Sequence, residues 1–196
     1  MRVMIQMVVI LLLLSILSGL SLALLNEKTK VAIKNQELKF VKGPAILAIF
    51  DNADNNPVND RFSINDDGIE RDFFVGEIGG RTAYVAFESN AGIGFGGSIG
   101  VMVGVNVNTD EIYGVGVTTH EETAGIGSKA KDDPTFASQF KGQQMAAEYK
   151  VKADGGKVDA ISGATVTSRG VSASLTDAAS IYKKLKPKII EALKNI

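Results

Sequence analysis

The hydrophobic pattern opens with one long apolar run, Val3 to Leu25, broken only by Gln6, a few serines and Gly19. About 20 such residues let a helix cross a bilayer. The apolar part of a cleaved signal peptide is shorter, roughly 7–15 residues, and no small-x-small cleavage site precedes Glu27. The run therefore reads as an uncleaved anchor over residues 1–26, ahead of a domain over residues 27–196. Glu27 to Lys42 is charged and loosely helical, with Val31, Ile33, Leu38 and Phe40 as packing positions. Gly43-Pro44 breaks that pattern. Ala45 to Phe50 then reads as a short buried strand. Asp51 to Asp60 is dense in turn residues and reads as a loop; its carboxylates lack the order of an EF-hand calcium loop.

From Asp72 the period shortens to two. Asp72 to Ile78 and Arg81 to Ser89 flank Gly79-Gly80, a two-residue hairpin signal. Ser98 to Asn108 and Glu111 to Thr119 flank Thr109-Asp110, a second hairpin. The alternation in GVNVN and YGVGVTT predicts strands with one covered face. Glycines at 92, 94, 96, 97, 100, 104, 114 and 116 argue for a curved sheet or for a close approach of some other element. GIGFGG at Gly92–Gly97 looks like a dinucleotide fingerprint, but β pattern follows it where a helix is required, so that reading is rejected. Thr119 to Asp133 reads as a polar, glycine-rich loop, and Pro134 to Phe140 as a short helix capped by Asp133. Glu148 to Ala153 reads as a further strand and Asp154-Gly155-Gly156 as a turn. The chain closes with a helix from Ser168 to Leu185, an interruption near Pro187, and a last helix from Ile189 to Asn195. The fold class is α+β: a single N-terminal transmembrane helix, then a curved antiparallel sheet with flanking helices.

Composition narrows the chemistry. A net charge of −1 offers no footprint for nucleic acid. The absence of cysteine excludes disulfides, thiolate catalysis and Cys-ligated iron–sulfur clusters, and a lone histidine, His120, gives no zinc motif. Redox work by this chain needs an organic cofactor.

The stretch that stands out is DAISGATVTS, Asp159 to Ser168, directly before the last long helical pattern. Small residues allow close approach of a bulky ligand. Ser162, Thr165, Thr167 and Ser168 supply hydroxyls, and a helix start supplies N–H groups and a positive dipole end suited to phosphate. The same residues also suit a plain capping turn, with Thr167 or Ser168 as N-cap. The residues alone do not choose among the four hydroxyls.

DAISGAT (Asp159 to Thr165) resembles the Asp-x-x-Ser/Thr-Gly-Ala-Thr signature of proteins that carry covalent FMN. THEETAGIG (Thr119 to Gly127) resembles the His-x-Glu-Thr-Pro-Gly-Leu-Gly loop near the flavin in the same family, and VMVGVN, QFKG and ISGATVTSRGV are similar to their flanks. The family is that of the G subunits of Rnf electron-transport complexes, with the C subunit of the sodium-pumping NADH:quinone reductase as the near relative and one alternative assignment. The other alternative is a membrane-tethered binding module without a cofactor, using its glycine-rich sheet for partner contact. Ala124 and Ile126 depart from the usual Pro and Leu; Ala124 makes the turn less rigid. The resemblance implies FMN esterified to Thr165 by a flavin transferase, with Gly163 and Ala164 giving room and Ser162, Thr167 and Ser168 beside the phosphate. It implies that Asp159 contacts a metal during transfer or fixes the loop, though an ordinary turn-forming Asp reads equally well. It further implies that Glu122 and Thr123 face the polar edge of the ring, with Gly125, Ile126 and Gly127 against its N5 edge and face. It places the chain among the other members of an ion-translocating ferredoxin:NAD oxidoreductase in the cytoplasmic membrane, as an electron carrier without complete activity alone. Lys28, Lys30 and Lys34 after the anchor outnumber Arg2 before it, and that count weakly favours the domain inside. The family places it outside the cytoplasm, and that expectation is taken here.

Overall fold

In the computed structural model residues 1–195 are described. The order is α1 (Arg2–Glu37), a π-helical turn (Leu38–Lys42), α2 (Gly43–Ile49), β1 (Arg61–Asp66), β2 (Ile69–Ile78), β3 (Arg81–Ile93), β4 (Ser98–Asn106), β5 (Glu111–Val117), α3 (Lys129–Asp132), α4 (Pro134–Ser138), a 3-10 turn (Lys152–Asp154) and α5 (Thr165–Leu193). The chain divides into two compact units, Met1–Phe40 and the rest from Val41 on. In the first unit α1 buries no residue. It is long and apolar enough to cross a membrane.

The second unit is built on an open five-stranded antiparallel meander in the order β1-β2-β3-β4-β5. The Gly79-Gly80 hairpin forms as expected, with φ of +59° and +70°, values that glycine tolerates at a two-residue turn. The β4–β5 turn is wider, running from Val107 to Asp110 with Asp110 at φ +59°. β1 is an addition to the sequence reading, and the NDDG turn that returns it to β2 is its local signal. The ladder shifts register at Gly76/Ile78, Ser89/Gly92 and Gly104/Val105.

Alternation predicts one covered face; β4 is instead buried on both. Val101, Val103 and Val105 join Phe73, Phe87, Leu175, Ala178 and Leu185 in the core beneath α5. The other face lies under α2. Ala45 to Phe50, expected as a strand, is helical and turn instead. A short apolar run is ambiguous between the two states, and Pro44 at the helix start costs nothing there. Ile46 and Ile49, three residues apart, are buried. The glycines receive that helix: a Cβ on Gly114 would come within 3.3 Å of Ile49, and one on Gly116 within 3.2 Å of Ala45.

Two further expectations are corrected. Glu148 to Ala153 is no strand, because the tight Asp154–Gly156 turn folds it on itself and leaves one isolated bridge, Val151 to Val158. α5 is not interrupted near Pro187 and has no separate closing helix. A mid-helix proline costs about 3 kcal/mol, but Pro187 is exposed, and continuing the helix buries Ile189 fully.

Ion pairs hold the far end of α5. Lys184 donates to Asp66 and Asp67, Arg71 donates to Asp66 at 2.8 Å, and Lys186 and the Tyr182 hydroxyl meet Asp110 at 2.5 and 2.6 Å. The hydrogen bonds from Lys184 and then Arg71 hold the Asp66 carboxyl below the usual range. Burial acts to raise Asp110, but the bonds from Lys186 and Tyr182 outweigh it and leave that carboxyl lowered. A carboxyl depressed in the folded chain adds stability above its unfolded pKa, about 4, and loses it as pH falls through the folded value. Melting temperature should thus be flat near neutrality and fall below about pH 4. Asp110→Asn should melt lower at neutral pH with a shallower acid decline, as read by circular dichroism melts across pH.

Candidate functional site

α5 begins where Gly163, at φ +78°, turns the chain. The Ala164 N–H reaches the Ile161 carbonyl at 2.9 Å, and Ala164 is the N-cap without a side-chain cap bond. Neither Thr167 nor Ser168 caps the helix. Thr165 is the first helical residue. The N–H groups of Thr165, Val166 and Thr167 lie in the first turn, where no helical carbonyl precedes them.

The four hydroxyls now separate. Ser168 is fully buried; its Oγ donates to the Ala164 carbonyl at 3.0 Å and accepts the Ile161 N–H at 2.9 Å. Thr167 is 1% exposed, and its Oγ1 donates to Glu122 Oε2 at 2.5 Å. Ser162 is exposed and lies off the cleft described next. Thr165 is half-buried, and among the described residues its hydroxyl makes no hydrogen bond.

A cleft of about 430 Å³ sits at this helix start. Its walls are Phe95, Glu122, Thr123, Ile126, Gly127 and the run Gly163 to Thr167. A second cleft, about 570 Å³ between Gln143 and Lys157, contains none of the predicted residues. The 119–127 loop is folded on itself. The Thr123 carbonyl accepts the N–H groups of Ile126 and Ser128, both at 3.2 Å, and Ser128 Oγ accepts the Gly125 N–H at 3.0 Å. Gly125, at φ +73°, makes the turn and stays out of the cleft wall.

Glu122 is the knot of the site. Its Oε1 accepts the Gly96 N–H at 2.9 Å, its Oε2 accepts Thr167 Oγ1, and its own N–H donates to His120 Nδ1 at 3.2 Å. One buried carboxylate thus ties the β3–β4 turn, the 119–127 loop and α5. Both oxygens are turned onto protein donors. Thr167→Val removes a donor from a buried carboxylate and should lower stability by about 1–3 kcal/mol, measured by thermal unfolding.

Asp159 stands apart from the cleft. Gln139 pairs with its backbone, accepting its N–H at 2.8 Å, and its carboxylate meets Lys152 at 2.6 Å in the open. Phe95 and Val166 are cleft residues that the sequence reading missed. Phe95 lay inside the glycine-rich run set aside as a false dinucleotide motif. Val166 shares one helical turn with Thr165, and a helix start placed at Ser168 hid it.

Comparison with known proteins covers the region that holds this cleft. Residues 94–180 match the FMN-binding domain family. The G subunit of the ion-translocating oxidoreductase complex of Cereibacter sphaeroides (strain ATCC 17023) is 30% identical over 189 residues, 91% of this chain and 84% of that protein. The G subunit of Haemophilus influenzae (strain PittEE) is 38% identical over 109 residues, 53% of this chain, so the match spans about half of that relative, 52%. Among solved structures, NqrC of Shewanella oneidensis matches with a TM-score of 0.51 at 25% identity, covering 74% of this chain and 73% of that one. The C subunit of the Na⁺-translocating NADH-quinone reductase of Parabacteroides distasonis also matches with a TM-score of 0.51, at 30% identity, covering 60% and 63%. An α+β domain with an open antiparallel sheet, a cleft at the start of α5, and this pattern of matches together mean that the chain belongs to the G-subunit family of ion-translocating oxidoreductase complexes.

Proposed function

We propose that this chain is an electron-carrying flavoprotein subunit of a membrane-bound ion-translocating oxidoreductase of the ferredoxin:NAD type, with FMN joined through its phosphate to Thr165. The observation that carries the reading is the free Thr165 hydroxyl at the first residue of α5, inside a cleft. Such a helix start suits a phosphodiester: its N–H groups and dipole favour negative charge. The cleft also fits the rest of the group. Ile126 and Val166 are 48% and 44% exposed beside polar Glu122 and Thr123, a mix that matches an apolar ring with a polar edge.

FMN would supply the electron transfer. The chain's residues bind and orient it. Thr165 would be the attachment point: its Oγ1 would take the FMN phosphate from FAD, with AMP as the leaving group and the hydroxyl proton released. A flavin transferase is the partner for that step. Gly163 and Ala164 leave room for it, and the first-turn N–H groups would hold the phosphate oxygens. Ser168 and Thr167 fix the turn from within, while Glu122 holds the cleft walls together. Thr123 and the Gly127 backbone would meet the ring edge, Ile126 would cover a face, and Gly125 shapes the turn that carries them. Asp159, outside the cleft, fixes the loop that leads into it.

α1 anchors the domain in the cytoplasmic membrane as a single span, with the flavin domain on the extracytoplasmic side. The ion is moved by neighbouring integral subunits, since one span forms no channel. The test is intact-protein mass spectrometry of chain purified from its native membrane, together with in-gel flavin fluorescence after denaturation. The expected result is a mass higher by FMN less one water and a fluorescent band. An unmodified polypeptide overturns the reading. Loss of ferredoxin-linked NAD reduction in membranes of a deletion strain tests the carrier role.

A further inference from the structure

Phe95 is 78% exposed at the tip of the β3–β4 turn. Its position is built rather than loose. On one side, the Gly94 N–H reaches the Gly97 carbonyl at 2.7 Å; on the other, the Gly96 N–H is held by Glu122 Oε1 at 2.9 Å. Neither flanking glycine has room for a side chain. A Cβ on Gly94 would overlap the Glu122 carboxylate, and one on Gly96 would overlap the Glu121 carbonyl. So the turn lies flat on the 119–127 loop, and its one large side chain stands clear at the cleft wall, far from the start of α5 in sequence but beside it in space. A lone exposed apolar residue needs no explanation. Here Phe95, Ile126 and Val166, all exposed, converge on one cleft around one free hydroxyl.

We infer that Phe95 is the aromatic platform for the ring of the flavin carried on Thr165. This assignment rests on the function proposed above. Aromatic rings prefer offset stacking or edge contact with one another, and Phe95 is the one aromatic side chain in the cleft wall among the described residues. Contact with it shields the ring from water and shifts the balance between its charged and neutral forms.

The chain contains no tryptophan, so an introduced one is a unique reporter. Tryptophan in contact with a flavin quenches its emission by electron transfer. The experiment uses the full chain matured with FMN, with bound flavin counted by intact mass. Phe95→Trp is expected to lower emission per bound flavin several-fold and to shorten its lifetime. Phe95→Tyr, a smaller change, should quench in the same direction and covers the case in which tryptophan impairs folding. Ile69→Trp, at an exposed position away from the cleft, should leave emission unchanged. Phe95→Ala should increase quenching of the flavin by iodide. A Phe95→Trp or Phe95→Tyr chain with full flavin mass and wild-type lifetime overturns the Phe95 assignment alone. A wild-type chain without the flavin mass overturns the Thr165 reading and this one with it.

Discussion

Thr165→Leu is expected to abolish covalent flavin completely: no fluorescent band after denaturation and a chain at its unmodified mass. Leucine keeps an apolar side chain of similar reach at a half-buried first-turn position and favours the helix, so the fold should survive. What disappears is the oxygen. The neighbouring hydroxyls cannot substitute. Ser168 and Thr167 are buried and already bonded to Ala164, Ile161 and Glu122, and Ser162 lies outside the cleft wall. A residual label in the variant, mapped by peptide mass spectrometry to any of these three, would show that another hydroxyl accepts the group. A melting temperature unchanged from wild type confirms that the lost label is chemistry rather than misfolding.

The largest stability effect should follow Gly92→Ala. At this point α5 crosses the end of β3 backbone against backbone. A Cβ on Gly92 would overlap the Gly170 carbonyl oxygen and lie 2.6 Å from Ser174 Oγ, and one on Gly170 would lie 2.9 Å from the Ile93 carbonyl. Neither carbonyl can swing aside as a flexible side chain does. The crossing also carries buried polar bonds. Ser174 Oγ accepts the Gly92 N–H at 2.9 Å and donates to the Ile99 carbonyl at 2.8 Å, and Ser89 donates to Asp177 at 2.8 Å. Lifting α5 strains all of them. Overpacking typically costs about 1–3 kcal/mol, and a backbone clash belongs at or above the top of that range. At roughly 2–4 °C per kcal/mol for a domain of this size, the melting temperature should fall by roughly 6–12 °C. Gly79→Ala is the comparison. It has open space but φ +59°, so the change costs only the left-handed strain of about 1–2 kcal/mol. Equal losses in the two variants would mean that the helix–strand crossing is not tight.

Local chemistry was legible where one or two residues decide it. Gly79-Gly80 announced its turn because only glycine sits easily at positive φ twice in succession. Asp133-Pro134 announced α4, and the Asp133 side chain does accept the Thr135 N–H at 2.9 Å. The crowd of glycines in β4 and β5 announced that something comes close, but not that it is α2. Ala45 to Phe50 has too few residues to show a period, and its state is decided by Gly104, Gly114 and Gly116, more than fifty residues away. Pro187 was overruled by the burial of Ile189 for the same reason: tertiary packing outweighs a local rule. At the site, the signature stretch was visible, yet the sorting of its hydroxyls was not. That sorting depends on Glu122, which reaches Thr167 across 45 positions of sequence.

The far end of α5 has a bearing on its beginning. Lys184 is fastened to the β1–β2 turn and Lys186 to the β4–β5 turn, at opposite margins of the sheet. With Gly170 wedged at the other end, the helix meets the sheet at three places along its length. Thr165, the first residue of that helix, therefore takes its place above the strands from contacts made along the whole length of α5.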